Sequence, residues 1–330
     1  MSIRILAGAL LALSLSCVQA QTFSFGLWGD MPYQKAGDEP KIPALLKSIN
    51  QSDIAFSIYD GDIKDGSSQC TDDIYAAALA MFGQMKKPVV YVPGDNEWTD
   101  CHRLNNGGYD ALERLAYLRK TMYPYAVSLG RRKMPLQHQG QAGEKFVENV
   151  AFSHGGIVFA TLNIPGSNNN RILNESECTF KSVRTAANCD AANAEYVERN
   201  AANVSWMHQA FKSAKGQKAR GLVLVFQADP GFDLPETEGL DESQAERYSG
   251  YRNFLDSVIT ETEKFSGQVL LVHGDTHFFK VDKPLYNPTR LLPNLTRLQT
   301  FGSPLIHWVR VTVEPKNVNV FTIQPVIVKP

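Results

Sequence analysis

The chain has 330 residues, 33 Lys and Arg against 34 Asp and Glu, and a net charge of −1. That balance excludes a broad basic surface of the kind that binds nucleic acid nonspecifically. Hydrophobic residues make up 43%, which fits a packed globular core and excludes a disordered chain.

Residues 1–20 have the parts of a secretory signal. Arg4 gives the positive start, Ile5 to Leu15 is an apolar run too short for a bilayer, and Val18-Gln19-Ala20 precedes Gln21. Cleavage after Ala20 predicts a periplasmic or secreted protein, with a lipoprotein site at Cys17 as the alternative. No later apolar run is long enough for a transmembrane helix. Cys70, Cys101, Cys178 and Cys189 remain, and an even number in an exported chain predicts disulfides. The expected pairs are Cys70–Cys101 and Cys178–Cys189. Zinc ligation is the rival, weakened because the sequence has no C-x-x-C pair.

Phe23 to Trp28 reads as a buried strand ending in Gly29-Asp30. Lys41 to Asn50 reads as a helix with Ile42, Leu45, Leu46 and Ile49 on one face. Ile54 to Tyr59 is a second strand, ending at Asp60-Gly61-Asp62. Asp73 to Met85 is a helix, and Pro88 to Val92 a third strand, ending at Pro93-Gly94-Asp95. Val150 to Ser153 and Ile157 to Leu162 form a hairpin around His154-Gly155-Gly156. The polar stretch 165–190 reads as an inserted surface loop. Ala191 to Ala214 is helical, and Leu222 to Phe226 is a strand ending at Gln227-Ala228-Asp229-Pro230. Ala245 to Phe265 is mostly helix. Val269 to Val272 is a strand ending at His273-Gly274-Asp275-Thr276-His277. Alternating segments at Leu305 to Val313 and Val318 to Val328 read as strands.

Strand–helix repetition with a Gly-Asp pair after each strand predicts an α/β fold with a site at the strand ends. Glycine there allows a sharp turn. Several carboxylates in one crevice repel unless a cation stands between them.

With these motifs the mature chain, 21–330, resembles the calcineurin-like metallophosphoesterases over nearly its whole length. That resemblance implies a four-layer α-β-β-α sandwich and a site for two divalent metals. The family's first motif, an Asp with a His two residues on, falls at Asp30 with Pro32 in the histidine's place. Its bridging Asp falls at Asp62. Its Gly-Asn-His-Asp/Glu motif is Gly94-Asp95-Asn96-Glu97. Its fourth-motif His falls at Gln227, with Asp229 as the alternative alignment. Its Gly-His-x-His motif is Gly274-Asp275-Thr276-His277. By resemblance, Asp30, Asp62 and His277 hold one metal, and Asp62, Asp95, Gln227 and Asp275 the other. Most departures trade imidazole for carboxylate or amide oxygen. That favours Mn or Mg, with Ca, Fe or Zn as alternatives.

The family chemistry is metal-assisted hydrolysis of phosphomonoesters or phosphodiesters, in which two metals lower the pKa of a bridging water that attacks in line. Here Asn96 replaces the histidine that protonates the leaving oxygen. His102 and His273 are the stand-in candidates for that acid, against a surface or disulfide-loop role for His102, and Arg103 is a phosphate clamp. Tyr33 is read as packing over its loop, with metal contact the alternative. Asp65 is read as a turn cap or a supporting carboxylate, and Glu97 as orienting its loop. Trp28 is assigned to the core and His154 to a structural turn. His307 is a minor candidate near the site. Two functions follow. One is a hydrolase acting on a small phosphorylated substrate. The other is a catalytically degenerate binding protein for a phosphorylated ligand or a protein partner.

Overall fold

The computed structural model describes residues 21–33, 35, 37–232, 242–285 and 289–329. The expected signal, with its cleavage site and Cys17, lies outside the described residues. In chain order the strands are β1 (Phe23–Trp28), β2 (Ser57–Tyr59), β3 (Val89–Tyr91), β4 (Gln137–His138), β5 (Val150–His154), β6 (Ile157–Thr161), β7 (Gly221–Val225), β8 (Gln268–His273), β9 (Lys280–Asp282), β10 (Leu295–Gln299), β11 (Trp308–Val313) and β12 (Phe321–Val326). The helices are α1 (Ile42–Gln51), α2 (Asp72–Phe82), α3 (Ala111–Met122), a single irregular turn α4 (Gly166–Asn169), α5 (Glu175–Thr179), α6 (Ala186–Gly216) and α7 (Arg252–Glu263).

Two sheets form, ordered β12-β11-β1-β2-β3 and β4-β5-β6-β7-β8-β10-β9. Successive residues of a strand face opposite sides, and the second sheet shows this directly. Phe159, Val223, Val225, Leu270 and Val272 join one core with the first sheet and with α1, α2 and α3. The alternate residues Val158, Leu222, Leu224, Val269 and Leu271 join a second core with Met207 and Phe211 of α6 and Phe254 and Val258 of α7. Burial on both faces explains why these strands are unbroken apolar runs. The result is the α-β-β-α sandwich that the sequence predicts. Among the described residues, no helix is long and apolar enough to cross a membrane.

Register brings the strand ends level. Trp28 lies beside Tyr59, and Tyr59 beside Tyr91. In the other sheet Val225 lies beside Val272, and His273 beside Gln299. Each motif therefore leaves its sheet at the same edge of the sandwich. Both expected disulfides are present, Cys70–Cys101 and Cys178–Cys189. Strands β4, β9 and β10 escaped the sequence reading. Helix α6 starts five residues earlier than expected because Thr185 and Asn188 cap it reciprocally. The stretch 165–190 is not a surface loop throughout: it carries α4 and α5, and Asn169 is fully buried.

Candidate metal centre

Asp30, Asp62 and Asp95 follow β1, β2 and β3, and Gln227 and Asp275 follow β7 and β8. Backbone conformation is unusual where the carboxylates turn inward: φ is +49° at Asp30, +60° at Asp62, +77° at Asp275 and +69° at His277. Such left-handed positions in non-glycine residues cluster at functional sites. Gly61, with φ +109°, supplies the turn assigned from sequence, and three other glycines serve a further purpose. A Cβ on Gly94 would lie 2.0 Å from Asp62 Oδ1, one on Gly274 2.1 Å from Asp30 Oδ2, and one on Gly29 2.2 Å from Asp60 Oδ1. Each glycine leaves room for an aspartate belonging to another strand end.

Hydrogen bonds join the set. Asn96 Nδ2 donates to Asp62 Oδ2 at 2.6 Å, and its backbone N–H to Asp62 Oδ1 at 3.2 Å. The Tyr33 hydroxyl donates to Asp62 Oδ2 at 3.2 Å and lies 3.1 Å from His277 Nε2. Tyr33, read from sequence as packing, is thus part of the site. His277 Nδ1 donates to Ser303 O at 2.7 Å, which turns Nε2 towards Asp30 Oδ1, 3.6 Å away. Asp275 N donates to Asp30, Asp229 N to Asp275 Oδ2, and Gln227 Nε2 to Asp95 Oδ1.

Burial raises the Asp62 carboxyl well above its usual range, and Asp95, Glu97, Asp30 and Asp275 raise it further. Asp275 is raised in the same way by burial and then by Asp95. Asp30 is raised by burial in spite of His277. Burial would lower the His277 imidazole, but the Asp30 carboxylate outweighs that and raises it. Lys64 is 1% exposed and donates to Asp65 O. Its ammonium, lowered by burial, is held up by the field of Asp62 and Glu97.

One side of the centre is closed by the protein. Ser167, Asn168, Asn169 and Asn170 all take φ between +51° and +62°, a left-handed turn that asparagine tolerates. The turn presses Gly166 against the carboxylates, where a Cβ would lie 2.5 Å from Asp95 Oδ2 and 3.1 Å from Asp275 Oδ2. Gly166 N donates to Gln227 Oε1 at 2.6 Å, which occupies one lone pair of the amide oxygen expected to bind metal. Ser167 Oγ donates to Asp100 Oδ1 at 2.7 Å and lies 3.1 Å from Asp95 Oδ2. Arg199, buried, secures the turn through Asn169 Oδ1, Asn169 O and Asn163 O. Sequence reading missed Gly166, Ser167 and Arg199; the run Ser167-Asn168-Asn169-Asn170 was the available signal.

The other candidates separate clearly. Arg103 pairs with Asp100 at 2.6 Å and donates to Ser167 Oγ at 3.1 Å, on the rim of the centre. His102 lies against Ser182. Its Nδ1 is bonded to Ser182 Oγ at 2.8 Å, and burial, Arg184 and Arg103 push it down to about 3. It is neutral near pH 7 and has no imidazolium proton to give. His273, the other stand-in, is fully buried between Phe226 and Phe232. Asp65 is a turn cap, accepting from Ser67 and Ser68. Asp229 turns its carboxylate to Gly231 N, Phe232 N and Thr276 Oγ1, which leaves Gln227 facing the centre. Glu97 orients its loop through Gly94 N and the Tyr91 hydroxyl. His154 packs on Phe23 and Phe56, and His307 on Phe301.

Among solved structures, PhoD is similar to this chain with a TM-score of 0.55 and 12% identity, covering 92% of this chain and 68% of PhoD. The chain has the metallophosphoesterase fold. Looser likenesses are GAP50, described as the anchor in the inner membrane complex of Plasmodium (TM-score 0.44, 14% identity, 94% of this chain and 90% of that one), and the 5'-nucleotidase of Candida albicans SC5314 (0.41, 9%, 92% and 50%). No protein-family profile and no curated protein matches the sequence.

The resemblance calls for two divalent cations, and the donors fit them in kind. Asp30, Asp62, Asp95 and Asp275 are hard carboxylates in one another's field, and His277 offers Nε2 with Nδ1 already engaged. As arranged, hydrogen bonds take up these donors, and among the described residues no group of three His, Cys, Asp or Glu side chains stands ready around one metal position.

Proposed function

We propose that the protein is a metal-dependent phosphoesterase of periplasmic or secreted location. The observation that carries this reading is the convergence of Asp30, Asp62, Asp95 and Asp275 from separate strand ends. Asp30 is 0% exposed, Asp62 2% and Asp95 7%. Buried like charges at this density are costly unless cations balance them. Asp30, Asp62 and His277 would hold one divalent cation, and Asp62, Asp95 and Asp275 with Gln227 the other. Bound there, two cations supply charge stabilisation to a phosphoryl group under transfer. Oxygen-rich ligation favours Mn or Mg over Zn.

The chain's own residues shape what such a centre can do. Tyr33 and Asn96 fix the orientation of Asp62 from two sides. Arg103 stands at the rim, its guanidinium shared between Asp100 and Ser167 and its side chain 40% exposed to an arriving anionic oxygen. Neither Asn96, which does not ionise, nor His102, held neutral, can protonate a departing alkoxide. General acid help is typically worth about 10²–10⁴-fold, so esters with good leaving groups should be turned over best.

The test is hydrolysis of an aryl phosphomonoester and an aryl phosphodiester by protein stripped of metal and then resupplied with Mg, Mn, Ca or Zn. Turnover restored by Mn or Mg and lost in Asp62→Asn is the expected result. No turnover with any metal, from folded protein, would sink the hydrolase. A second reading then stands, a binding protein of the same fold, and the packing of Gly166 and Ser167 onto Asp95 favours it.

A further inference from the structure

A cavity of about 900 Å³ opens beside the carboxylate centre, lined by Asp100 and Ser167 on the near side. Ser167 Oγ touches Asp95 and Asp100 together, so the cavity and the centre share one wall. Arg103, Arg171, Lys181, Arg184 and Arg247 all line it, against Asp100 and Glu177. Such a concentration of cations stands out in a chain of net charge −1. Two of the five are neutralised locally, Arg103 by Asp100 and Arg247 by Glu242. Arg184 is different: its hydrogen bonds go to neutral oxygens, Asn170 Oδ1 at 3.1 Å and Thr99 O at 3.4 Å. Burial, together with Arg103, pushes its guanidinium down to about 10. Arg171 and Lys181 lean on the rings of Tyr196 and Phe180.

The walls are rigid. Leu104 N donates to Lys181 O at 2.9 Å and Val183 N to His102 O at 3.1 Å, so the two loops pair as short strands. Each is stapled next to its cations, one by Cys70–Cys101 and the other by Cys178–Cys189. A pre-formed cavity with cations already in place binds anions without an ordering cost.

We propose that this cavity is an anion subsite that takes a further phosphoryl group of the substrate, so that the ligand class is an organic phosphate bearing at least two phosphoryl groups. The substrate assignment rests on the phosphoesterase reading, whereas the subsite itself does not. Among the described residues Arg171 and Lys181 form no ion pair, Arg184 lies in the field of Asp100 and Asp110 without bonding either, and planar guanidinium forks suit phosphoryl oxygens.

The probe is inorganic triphosphate, titrated calorimetrically into the protein in EDTA, with orthophosphate as the comparison. Triphosphate should bind at least about tenfold more tightly than orthophosphate, and more weakly as salt rises. Arg171→Gln and Lys181→Gln should each weaken triphosphate severalfold. Arg184→Gln should do so more, with circular dichroism checking its fold. Equal binding of the two anions, or undiminished triphosphate binding in the Arg171→Gln/Lys181→Gln double variant, overturns the subsite. Failure of the hydrolase reading looks different: triphosphate binds as described and no ester is turned over with any metal.

Discussion

Tyr33 has its hydroxyl between Asp62 and His277, and Asn96 Nδ2 lies 3.4 Å from the same oxygen. It orients one expected ligand from each sheet. Supporting groups of this kind are commonly worth about 10–100-fold in metal affinity. Tyr33→Phe should therefore weaken Mn binding by about that factor, measured by calorimetry, while the melting temperature of metal-free protein changes little. Protonation gives a second prediction. Burial raises Asp30, Asp60, Asp62 and Asp275 in the folded chain, and burial with Asp95 raises Asp100 to about 7 from an ordinary 3.8. Folded protein then holds protons that the unfolded chain has released. Stability of metal-free protein is full below the unfolded values and is lost as pH rises through the folded ones. Its melting temperature should fall between about pH 4 and about pH 7, and added Mn should recover more at the upper end. His102, pushed down to about 3, works against this fall over the same interval, and a net rise without metal would contradict the carboxylate shifts. The aspartates were legible in the sequence because each follows an apolar strand and a glycine. Tyr33 was not, because one aromatic after Pro32 fits packing as well as contact.

At the scale of elements, the left-handed turn at Gly166–Asn169 depends on helix α6. Arg199 is fully buried, pairs with Glu195 and holds Asn169 and Asn163 by their oxygens. Removing one partner of a buried ion pair typically costs about 3–5 kcal/mol. Arg199→Leu should lose stability of that order in urea unfolding and should loosen the turn over Asp95, seen as faster amide exchange at 166–170. Unchanged exchange there would mean that the turn's other bonds, from Tyr251 to Asn169 N and Pro165 O and from Asn168 and Asn169 to Gly250, hold it without Arg199. Strands and helices with a clear apolar period were legible, as in α1, whose Leu45, Leu46 and Ile49 are buried as expected. The stretch 165–190 was not, because its asparagines look solvated. They are polar because they satisfy buried backbone groups and accept positive φ.

For the whole molecule, the layered sandwich was legible from strand–helix alternation and from motifs that leave at strand ends. The cationic cavity was not, because near-zero net charge averages over the surface and its cations come from three separate stretches, at 103, 171–184 and 247. Its walls bear the two disulfides, which makes a global prediction. Cys70 and Cys101 are 31 residues apart in sequence. In the chain-entropy account a loop of that length contributes about 3–4 kcal/mol. Cys70→Ser/Cys101→Ser should lose roughly that much in chemical unfolding, and triphosphate affinity should fall with it. Affinity that survives reduction of both disulfides would show that backbone pairing of 102–104 with 181–183 suffices.

The glycines packed against their neighbours' aspartates impose an order on mutational descent. Gly94 has no room to gain a side chain while Asp62 is present, nor Gly274 while Asp30 is, nor Gly29 while Asp60 is. At Gly274 the facing Asp30 carboxylate must go before a side chain fits, whereas at Gly94 the backbone N of residue 62, 2.5 Å from a Cβ, closes the position whatever side chain stands there. Steps taken in the reverse order pass through a clash that the fold has little space to absorb.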